Sequence, residues 1–402
     1  MFISRFIGVS KDFFLNILAS LVVVVVTQIL VYPWLAREYD AVLYGVILTV
    51  MGCANAIVSA VGGSLNNARL LMRNGYEKIC DTGDFFPILS LLSLLSLIVF
   101  YGVIELMGVE VLGWTVLLLI LYVVLGNIRG YCMVAYRLDL NFKGNLICSS
   151  AVAIGNIVGI WLVLVTRYAI LWPIIFVIGE VFALVVLFFN TRIFWEHFKI
   201  TNLFKEALGK TSILLVTTFM AGILIYLDRI LLLPILGGES VAIYSTASFL
   251  GKCLGLLLTP VAGVLLSYFA QSGYVMTRMR YRTINIVVLC FACVFFVLIW
   301  FTSKWITGVL YPSLIDAAAP FLLIANAAMI IASIGNITQA AVLRYAPMNY
   351  QLLVQLVYFI VYLGVGFCGA TRAGLWGFSF AAVAAAVVRF CMLYIIGERY
   401  IR

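Results

Sequence analysis

Charge is scarce in this chain. Asp, Glu, Lys and Arg together make up 10% of its 402 residues, too few to cover a water-exposed surface, which excludes an ordinary soluble protein. Histidine occurs once, at His197, so a histidine-built zinc site is not expected. Cysteine is present, but in the wrong places for a disulfide framework. Cys53, Cys132, Cys148, Cys253, Cys290, Cys293, Cys368 and Cys391 lie in or beside apolar runs, and Cys80 falls in a loop. Cys290 and Cys293 form a CxxC inside a continuous hydrophobic stretch with no second ligand pair, so all nine are read as small apolar residues, with no metal and no cofactor implied. Nor is there room for a soluble domain. The longest hydrophilic segment is 191–210, no P-loop or ATP-binding cassette occurs, and no outer loop is extended. Any energy for work must come from an ion gradient, the substrate's own gradient or a partner.

What fills the chain instead is apolar: 65% of residues are hydrophobic and the mean hydropathy is +1.18. About 20 apolar residues cross a bilayer as a helix. Such runs occur near 12–34, 41–66, 85–107, 111–134, 145–166, 169–190, 211–235, 241–269, 284–303, 317–343, 349–369 and 374–397. The pattern predicts an all-α polytopic membrane protein of about twelve transmembrane helices. The two longest runs are expected to tilt or kink at Pro260 and Pro320. Arg5 and Lys11 precede the first run, which is too long for a signal peptide and lacks a small-residue cleavage site, so it reads as an uncleaved span.

Basic residues set the orientation. With the N-terminus in the cytoplasm, eighteen of the 25 Lys and Arg fall in inner segments and four (Arg37, Arg167, Lys304, Arg372) in outer ones. That bias predicts cytoplasmic N- and C-termini. The net charge of +9 then reflects topology and contact with anionic membrane lipids, not nucleic-acid binding. Segment 191–210 is partly amphipathic (Ile193, Phe194, Trp195, Phe198, Ile200, Leu203, Phe204) and is read as a linker along the inner leaflet. It separates an N-terminal bundle of six helices, 1–190, from a C-terminal one, 211–402. Most tryptophans, including Trp34, Trp114, Trp300 and Trp305, fall near span ends, as interfacial anchors do.

A charge at membrane depth costs roughly 3 kcal/mol or more, so each one inside a span needs a reason. Asp228 and Arg229 stand side by side within 211–235, and Glu180, Lys252 and Arg389 lie in other spans. On one reading they pair between helices, Asp228 with Lys252 or Arg389 and Arg229 with Glu180. On the other, Arg229, Lys252 and Arg389 form a cationic site for an anionic substrate, tuned by Asp228, with Glu180 as a proton carrier. Lys252 sits in Gly251-Lys252-Cys253-Leu254-Gly255, where small residues permit close approach. Amides recur inside spans, among them Asn55, Asn66, Asn67, Asn127, Asn156, Asn326, Asn336 and Gln339. They either bond between helices or line a hydrophilic path. Asn66-Asn67-Ala68-Arg69 closes the second span, placing an Arg where it can meet a phosphate at the inner mouth.

The halves carry a weak internal repeat. Ala41-Val42-Leu43-Tyr44-Gly45 opens span 2 and Val241-Ala242-Ile243-Tyr244-Ser245 opens span 8, each after a short polar turn. Six spans per half makes the repeat parallel, about an axis along the membrane normal.

These residues also carry a resemblance. Asp228-Arg229-Ile230-Leu231-Leu232 followed by Leu236-Gly237-Gly238-Glu239-Ser240-Val241-Ala242-Ile243-Tyr244-Ser245 resembles a stretch of the O-antigen and capsule repeat-unit flippases. These belong to the multidrug/oligosaccharidyl-lipid/polysaccharide exporter superfamily. Phe13-Phe14-Leu15-Asn16, Tyr44-Gly45, Asn66-Asn67-Ala68-Arg69 and Tyr136-Arg137-Leu138-Asp139-Leu140-Asn141-Phe142-Lys143 are similar to further parts of that family. Ala242 stands where the family usually has Gly, and Ser267-Tyr268-Phe269-Ala270 where it has a Pro. The resemblance implies two six-helix bundles around a central cavity, working by alternating access in the bacterial cytoplasmic membrane. It implies an undecaprenyl-pyrophosphate-linked glycan as substrate, moved from the inner to the outer leaflet, with H+ or Na+ as a coupling ion and polymerase and chain-length proteins as partners. The pyrophosphate would meet Arg229, Lys252 and Arg389, with Arg129 or Arg69 assisting, and the glycan would meet amides. The competing readings are a cation-coupled multidrug antiporter of the same superfamily, which favours acidic cavity residues, and a polysaccharide polymerase or ligase, which needs a larger outer loop than this chain has.

Overall fold

The computed structural model describes residues 2–79, 84–108, 113–166, 168, 171–269 and 276–401, with the side chains of 2–13, Pro260, Val264, Ser267 and Met348 left aside. Cys80, Arg167, residues 111–112 and 169–170 of two expected spans, and Ala270 lie outside the described residues. So do the side chains of Arg5, Lys11, Pro260 and Ser267.

The described residues hold helices and no β-strand. Lipid offers no partner to a backbone amide, and a helix satisfies its own. Among the described residues, nine continuous helical stretches are long and apolar enough to cross a membrane, two of them broken at a glycine. We number the segments α1 (Phe2–Val25, Val26–Val31 and Tyr32–Glu38), α2 (Ala41–Leu71), α3 (Phe85–Leu106), α4 (Gly113–Cys132), α5 (Phe142–Thr166), α6 (Ile174–Asn190), α7 (204–236), α8 (238–247 and Phe249–Phe269), α9 (Arg278–Leu310), α10 (Leu322–Tyr345), α11 (348–372) and α12 (375–400). Each matches one of the expected runs.

Two boundaries depend on glycine. The helical stretch Met348–Tyr400 has 53 residues, about 80 Å of helix against a hydrocarbon core of about 30 Å. It breaks at Ala373 and at Gly374, whose φ is +58. The chain turns back there, so that a Cβ on Gly369 would lie 2.5 Å from the Gly377 carbonyl oxygen. The stretch Phe204–Ala247 breaks likewise at Gly237, with φ +81, three residues after Pro234. Of the two prolines that the sequence marks, Pro320 acts differently from expectation. Pro320 sits in a 3₁₀ turn, Ala319–Phe321, ahead of α10, so it bends the entry and not the span. Pro33 follows the π-helical turn Val26–Val31, in which the Tyr32 N–H bonds to the Thr27 carbonyl. A proline at 33 has no N–H for the carbonyl of residue 29 and its ring crowds that oxygen, and one wider turn relieves both.

Packing divides the chain into two compact units, one of residues 1–34 and 49–230 and the other of 35–48 and 231–402. The first unit buries an apolar and aromatic core that includes Leu65, Phe85, Ile88, Tyr131, Tyr136 and Leu187. Its α5 and α6 touch backbone to backbone, since a Cβ on Gly155 would meet the Gly179 Cα at 2.7 Å. In the second unit Leu254, Leu258, Ile330, Ile334 and Ile337 join α8 to α10. The rest of the helix surface is apolar and exposed, as at Ile98, Phe301 and Trp305, a surface suited to lipid and not to water.

The second unit also holds the two turns that the sequence marks as repeats, and they pack on each other. A Cβ on Gly45 would sit 1.8 Å from the Gly238 carbonyl oxygen, and one on Gly238 would sit 2.2 Å from that of Val42. The equivalent tyrosines are both buried, Tyr44 against Tyr311 and Tyr244 against Phe378. The strand of chain before α2 is tied down too. Arg37 donates to the Val309 carbonyl (2.6 Å) and Ser313 to that of Ala36 (3.0 Å).

Gly45→Ala is expected to destabilise the protein by about 1–3 kcal/mol, the usual cost of overpacking a filled contact. Gly209→Ala, where the added Cβ has nothing within 4 Å, should be neutral or stabilising by about 0.5–1 kcal/mol through helix propensity. Melting of both variants in detergent checks the pair. Equal melting points would mean that the Gly45 contact is loose.

Candidate functional site

The wide turn in α1 presents Tyr32 at membrane depth. Arg229, from α7, stacks its guanidinium on the rings of Tyr32 (5.9 Å to the centroid) and Tyr226 (5.7 Å). Such stacking suits a partly desolvated cation. Asp228 precedes it on the same helix, and both side chains are buried. Tyr226 stands beside Asn55 of α2, and Asn55 accepts a hydrogen bond from the Tyr122 hydroxyl of α4 (2.6 Å). Two turns further along α4, Arg129 grips the carboxylate of Glu180 on α6 with two bonds, from Nε and from Nη2, the latter at 3.0 Å. Glu180 is only 2% exposed. A buried pair persists when both charges are hydrogen-bonded and geometrically matched, as a bidentate fork is. Arg129, Glu180, Asp228 and Arg229 thus converge within one unit, linked by Tyr32, Asn55, Tyr122 and Tyr226.

The geometry corrects one of the pairings offered by the sequence. Glu180 takes Arg129 as its partner and not Arg229, because the bidentate fork from α4 occupies both carboxylate oxygens.

In the second unit, Arg389 of α12 is buried, and every hydrogen bond it makes goes to a neutral oxygen. It donates to the Ala332 carbonyl (3.1 Å), Asn336 Oδ1 (2.9 Å) and Gln339 Oε1 (2.6 Å), all on α10. Its guanidinium lies 5.3 Å from the centre of the Tyr358 ring, and Nε is buried without a hydrogen bond. Gly335 leaves it space, with Nη1 at 3.6 Å from where a Cβ would be. Lys252 belongs to the same unit, half-buried on α8. The glycines flanking it face α10: Gly251 N–H donates to Asn326 Oδ1 (2.6 Å), and a Cβ on Gly255 would meet Ser333 Oγ at 2.8 Å.

The Asn66-Asn67-Ala68-Arg69 cluster forms a third place, at the end of α2. Arg69 is clamped by both carboxylate oxygens of Glu196 and by the Tyr131 hydroxyl (2.6 Å), between the rings of Phe85 and Tyr131. Its guanidinium is committed to the protein. Asn66 and Asn67 both accept from Arg137 Nη1, at 2.6 and 2.9 Å. Glu196 lies in the linker, and Thr201, five residues on, gives its N–H (2.6 Å) and its hydroxyl to Asp84 at the start of α3. Asp84 also accepts from Tyr76 (2.7 Å). Burial and that carboxylate hold the Tyr76 phenol well above its usual range. The linker is therefore fastened at two points, and α7 begins at Phe204, seven residues before the expected span.

Several amides bond between helices: Asn66 to the Gly130 carbonyl, Asn127 to Ser96, and Asn326 to the Ala247 carbonyl. Tyr32, Tyr122, Tyr226 and Tyr358 were not among the expected site residues. No local signal marked them, since a tyrosine inside an apolar run reads as bulk and one at its edge as an interfacial anchor. Among the described residues, no group of His, Cys, Asp and Glu could hold a metal, and the eight described cysteines are free thiols.

No protein-family profile matches the chain, and no curated protein gives a significant match. Solved structures do. The chain is similar to the lipid II flippase MurJ in an inward closed conformation, with 17% identity and a TM-score of 0.71 over 97% of this chain and 87% of that one. It is also similar to the Vibrio cholerae MATE transporter VcmN in the bent form (12%, 0.62, 98% and 97%). A third likeness is to a multidrug resistance MATE family transporter of the MOP superfamily in an inward-facing conformation (13%, 0.58, 96% and 94%). At these identities the likeness shows a shared fold.

Glu180→Gln leaves the partly buried Arg129 without a counter-charge and is expected to cost up to about 3–5 kcal/mol. The double variant Arg129→Met/Glu180→Leu should melt within a few degrees of the parent, and a double variant as weak as the single one would show that the pair is not the source of the loss. Arg69→Ala should free the linker. Limited proteolysis between residues 191 and 203 is expected to speed up at least tenfold, and an unchanged rate would mean that Thr201–Asp84 alone holds it.

Proposed function

We propose that this protein is a transporter that flips an undecaprenyl-pyrophosphate-linked oligosaccharide between leaflets of the bacterial cytoplasmic membrane, by alternating access and with both termini in the cytoplasm. One observation carries the choice of an anionic head over a cationic drug. Away from the span ends, Arg129 and Glu180 cancel, and the remaining charges are Asp228 against Arg229, Lys252 and Arg389, a surplus of two positive charges. Arg389 in particular is held by neutral oxygens and an aromatic face. That arrangement steadies a cation without spending its charge, so the charge stays available to a phosphate. In this reading Arg229 and Arg389 serve the pyrophosphate, Lys252 assists, and Asn336 and Gln339 orient Arg389. Glu180 and Asp228 are the groups through which H+ or Na+ would be coupled.

The fold supports a transporter of this kind. Among the similar structures, MurJ is named as a lipid II flippase, and its TM-score of 0.71 exceeds the 0.58 and 0.62 of the two MATE proteins cited above. A phosphate-bearing lipid cargo is the chemistry that a surplus of buried arginine serves.

The test is complementation in a bacterium lacking its own repeat-unit flippase. The intact protein is expected to restore surface polysaccharide, and Arg389→Ala and Arg229→Ala, at equal membrane abundance, to give less than a tenth of it. Arg389→Lys should recover only part, because an ammonium cannot reproduce the planar fork. Restoration by both alanine variants would sink the anion site. No restoration across several glycan types, together with raised tolerance to cationic drugs, would establish the antiporter reading instead.

A further inference from the structure

The motif Tyr136-Arg137-Leu138-Asp139-Leu140-Asn141-Phe142-Lys143 plays no part in the spans' buried charges, yet its backbone is tightly specified. The short helix Val134–Leu138 ends with Leu140 at φ +52, and the Asn141 N–H returns to the Tyr136 carbonyl at 2.8 Å. That is the six-to-one bond of a Schellman turn, with leucine where glycine is usual. Left-handed backbone on a leucine costs about 1–2 kcal/mol. Asn141 then caps α5, its Oδ1 accepting the Gly144 N–H at 2.9 Å. Gly144 is required beneath, since a Cβ there would meet Tyr136 Cε1 at 2.4 Å.

The turn closes over a cavity of about 110 Å³ within the first unit, lined by Asn16, Met133, Tyr136, Arg137, Asn141, Phe142 and Asn145. One side of Arg137 is taken, Nη1 bridging Asn66 and Asn67. Those two bonds fix the guanidinium plane and are made to neutral oxygens, so the positive charge is oriented but not neutralised. The opposite wall is amide, where Asn145 Nδ2 donates to Asn16 Oδ1 at 2.7 Å. None of the lining residues is a carboxylate. Met133 and Phe142 supply the apolar remainder.

We propose that this cavity binds the phosphate of a small polar head that also bears hydroxyls. The phosphate sits on the fork of Arg137 and the hydroxyls on Asn16, Asn141 and Asn145. A guanidinium held by two amides is a preorganised phosphate ligand, and three amides at one cavity present both donors and acceptors to hydroxyl groups. The site is separate from Arg129, Arg229 and Arg389, and it stands whether or not the chain carries a glycan lipid. A lipid headgroup and a free sugar or glycerol phosphate share this chemistry.

Two probes separate the sources: dioctanoyl phosphatidylglycerol and free glycerol 1-phosphate, each titrated calorimetrically into the full-length protein in neutral detergent. Saturable binding of at least one is expected, with Arg137→Gln weakening it tenfold or more and Asn145→Leu about threefold to tenfold. Arg73→Gln removes an exposed positive charge that is paired with Glu77 and does not line the cavity, so it should change affinity less than twofold. Binding of the lipid alone assigns a membrane headgroup, and equal binding of glycerol 1-phosphate assigns a free phosphate, both within the proposal. It is overturned if neither probe saturates, if Arg137→Gln and Asn145→Leu both bind like the parent, or if Arg73→Gln loses as much as Arg137→Gln. Melting curves of each variant separate lost binding from lost folding. Failure of the intact protein to restore surface polysaccharide, with phosphate binding retained, would count against the transport reading alone.

Discussion

The desolvation of charge governs this structure. A helix surface of Leu, Phe and Val costs nothing in lipid, so the apolar bulk of the chain has little to say about which helix sits beside which. The few charges do. Glu180 in a low-dielectric interior must find a cation with matching geometry, and the fork of Arg129 answers it, which joins α4 to α6. Arg389 reaches α10 for the same reason, finding amide and carbonyl oxygens in place of an acid. Arg229 reaches aromatic faces. Three arginines at membrane depth are therefore stabilised in three ways, by an ion pair, by neutral acceptors and by π faces.

Close packing is the second constraint, and glycine sets it. Apolar side chains gain little by leaving lipid for protein, so helices associate through short contacts between backbones. Gly155 on Gly179 brings α5 against α6, one residue from Glu180. The approach that makes the ion pair possible is thus built into the neighbouring residue. Gly45 on Gly238 does the same for the two turns that open α2 and α8. Where a glycine instead has φ near +60 or +80, as at Gly374 and Gly237, it ends a helix and lets the next begin.

Polar groups at the helix ends of the first unit are buried as well, Asp84 fully and Arg69 nearly so. There the carboxylates are used as fasteners. Glu196 and Asp84 hold the linker to α2 and α3 through Arg69, Tyr131, Tyr76 and Thr201. An arginine read from the sequence as facing a phosphate turns out to be spent on architecture. Arg137, which the sequence offered only as part of a motif, keeps half of its fork open to a cavity.

The sequence by itself determined the class. Sixty-five percent apolar residues in about twelve runs leave no other stable state than a bundle of spans, since each run must satisfy its own backbone in lipid, and the helices found match the runs one by one. It also determined which residues had to be explained, because Glu180, Asp228, Arg229, Lys252 and Arg389 are costly wherever the fold puts them. Partnership was beyond its reach. Nothing along the chain distinguishes Arg129 from Arg229 as the mate of Glu180, for the choice depends on which helix faces α6 and at what height, and residues 49 to 51 positions away are brought together only by tertiary packing. The tyrosines Tyr32, Tyr122, Tyr226 and Tyr358 were hidden for the same reason. A tyrosine in an apolar run looks like bulk until the neighbouring helix presents it with an arginine or an amide. Short-range order, such as the caps at Leu140 and Asn141, follows from local chemistry. Long-range pairing of charge is decided by the whole fold, because the energy of a buried ion depends on every group around it.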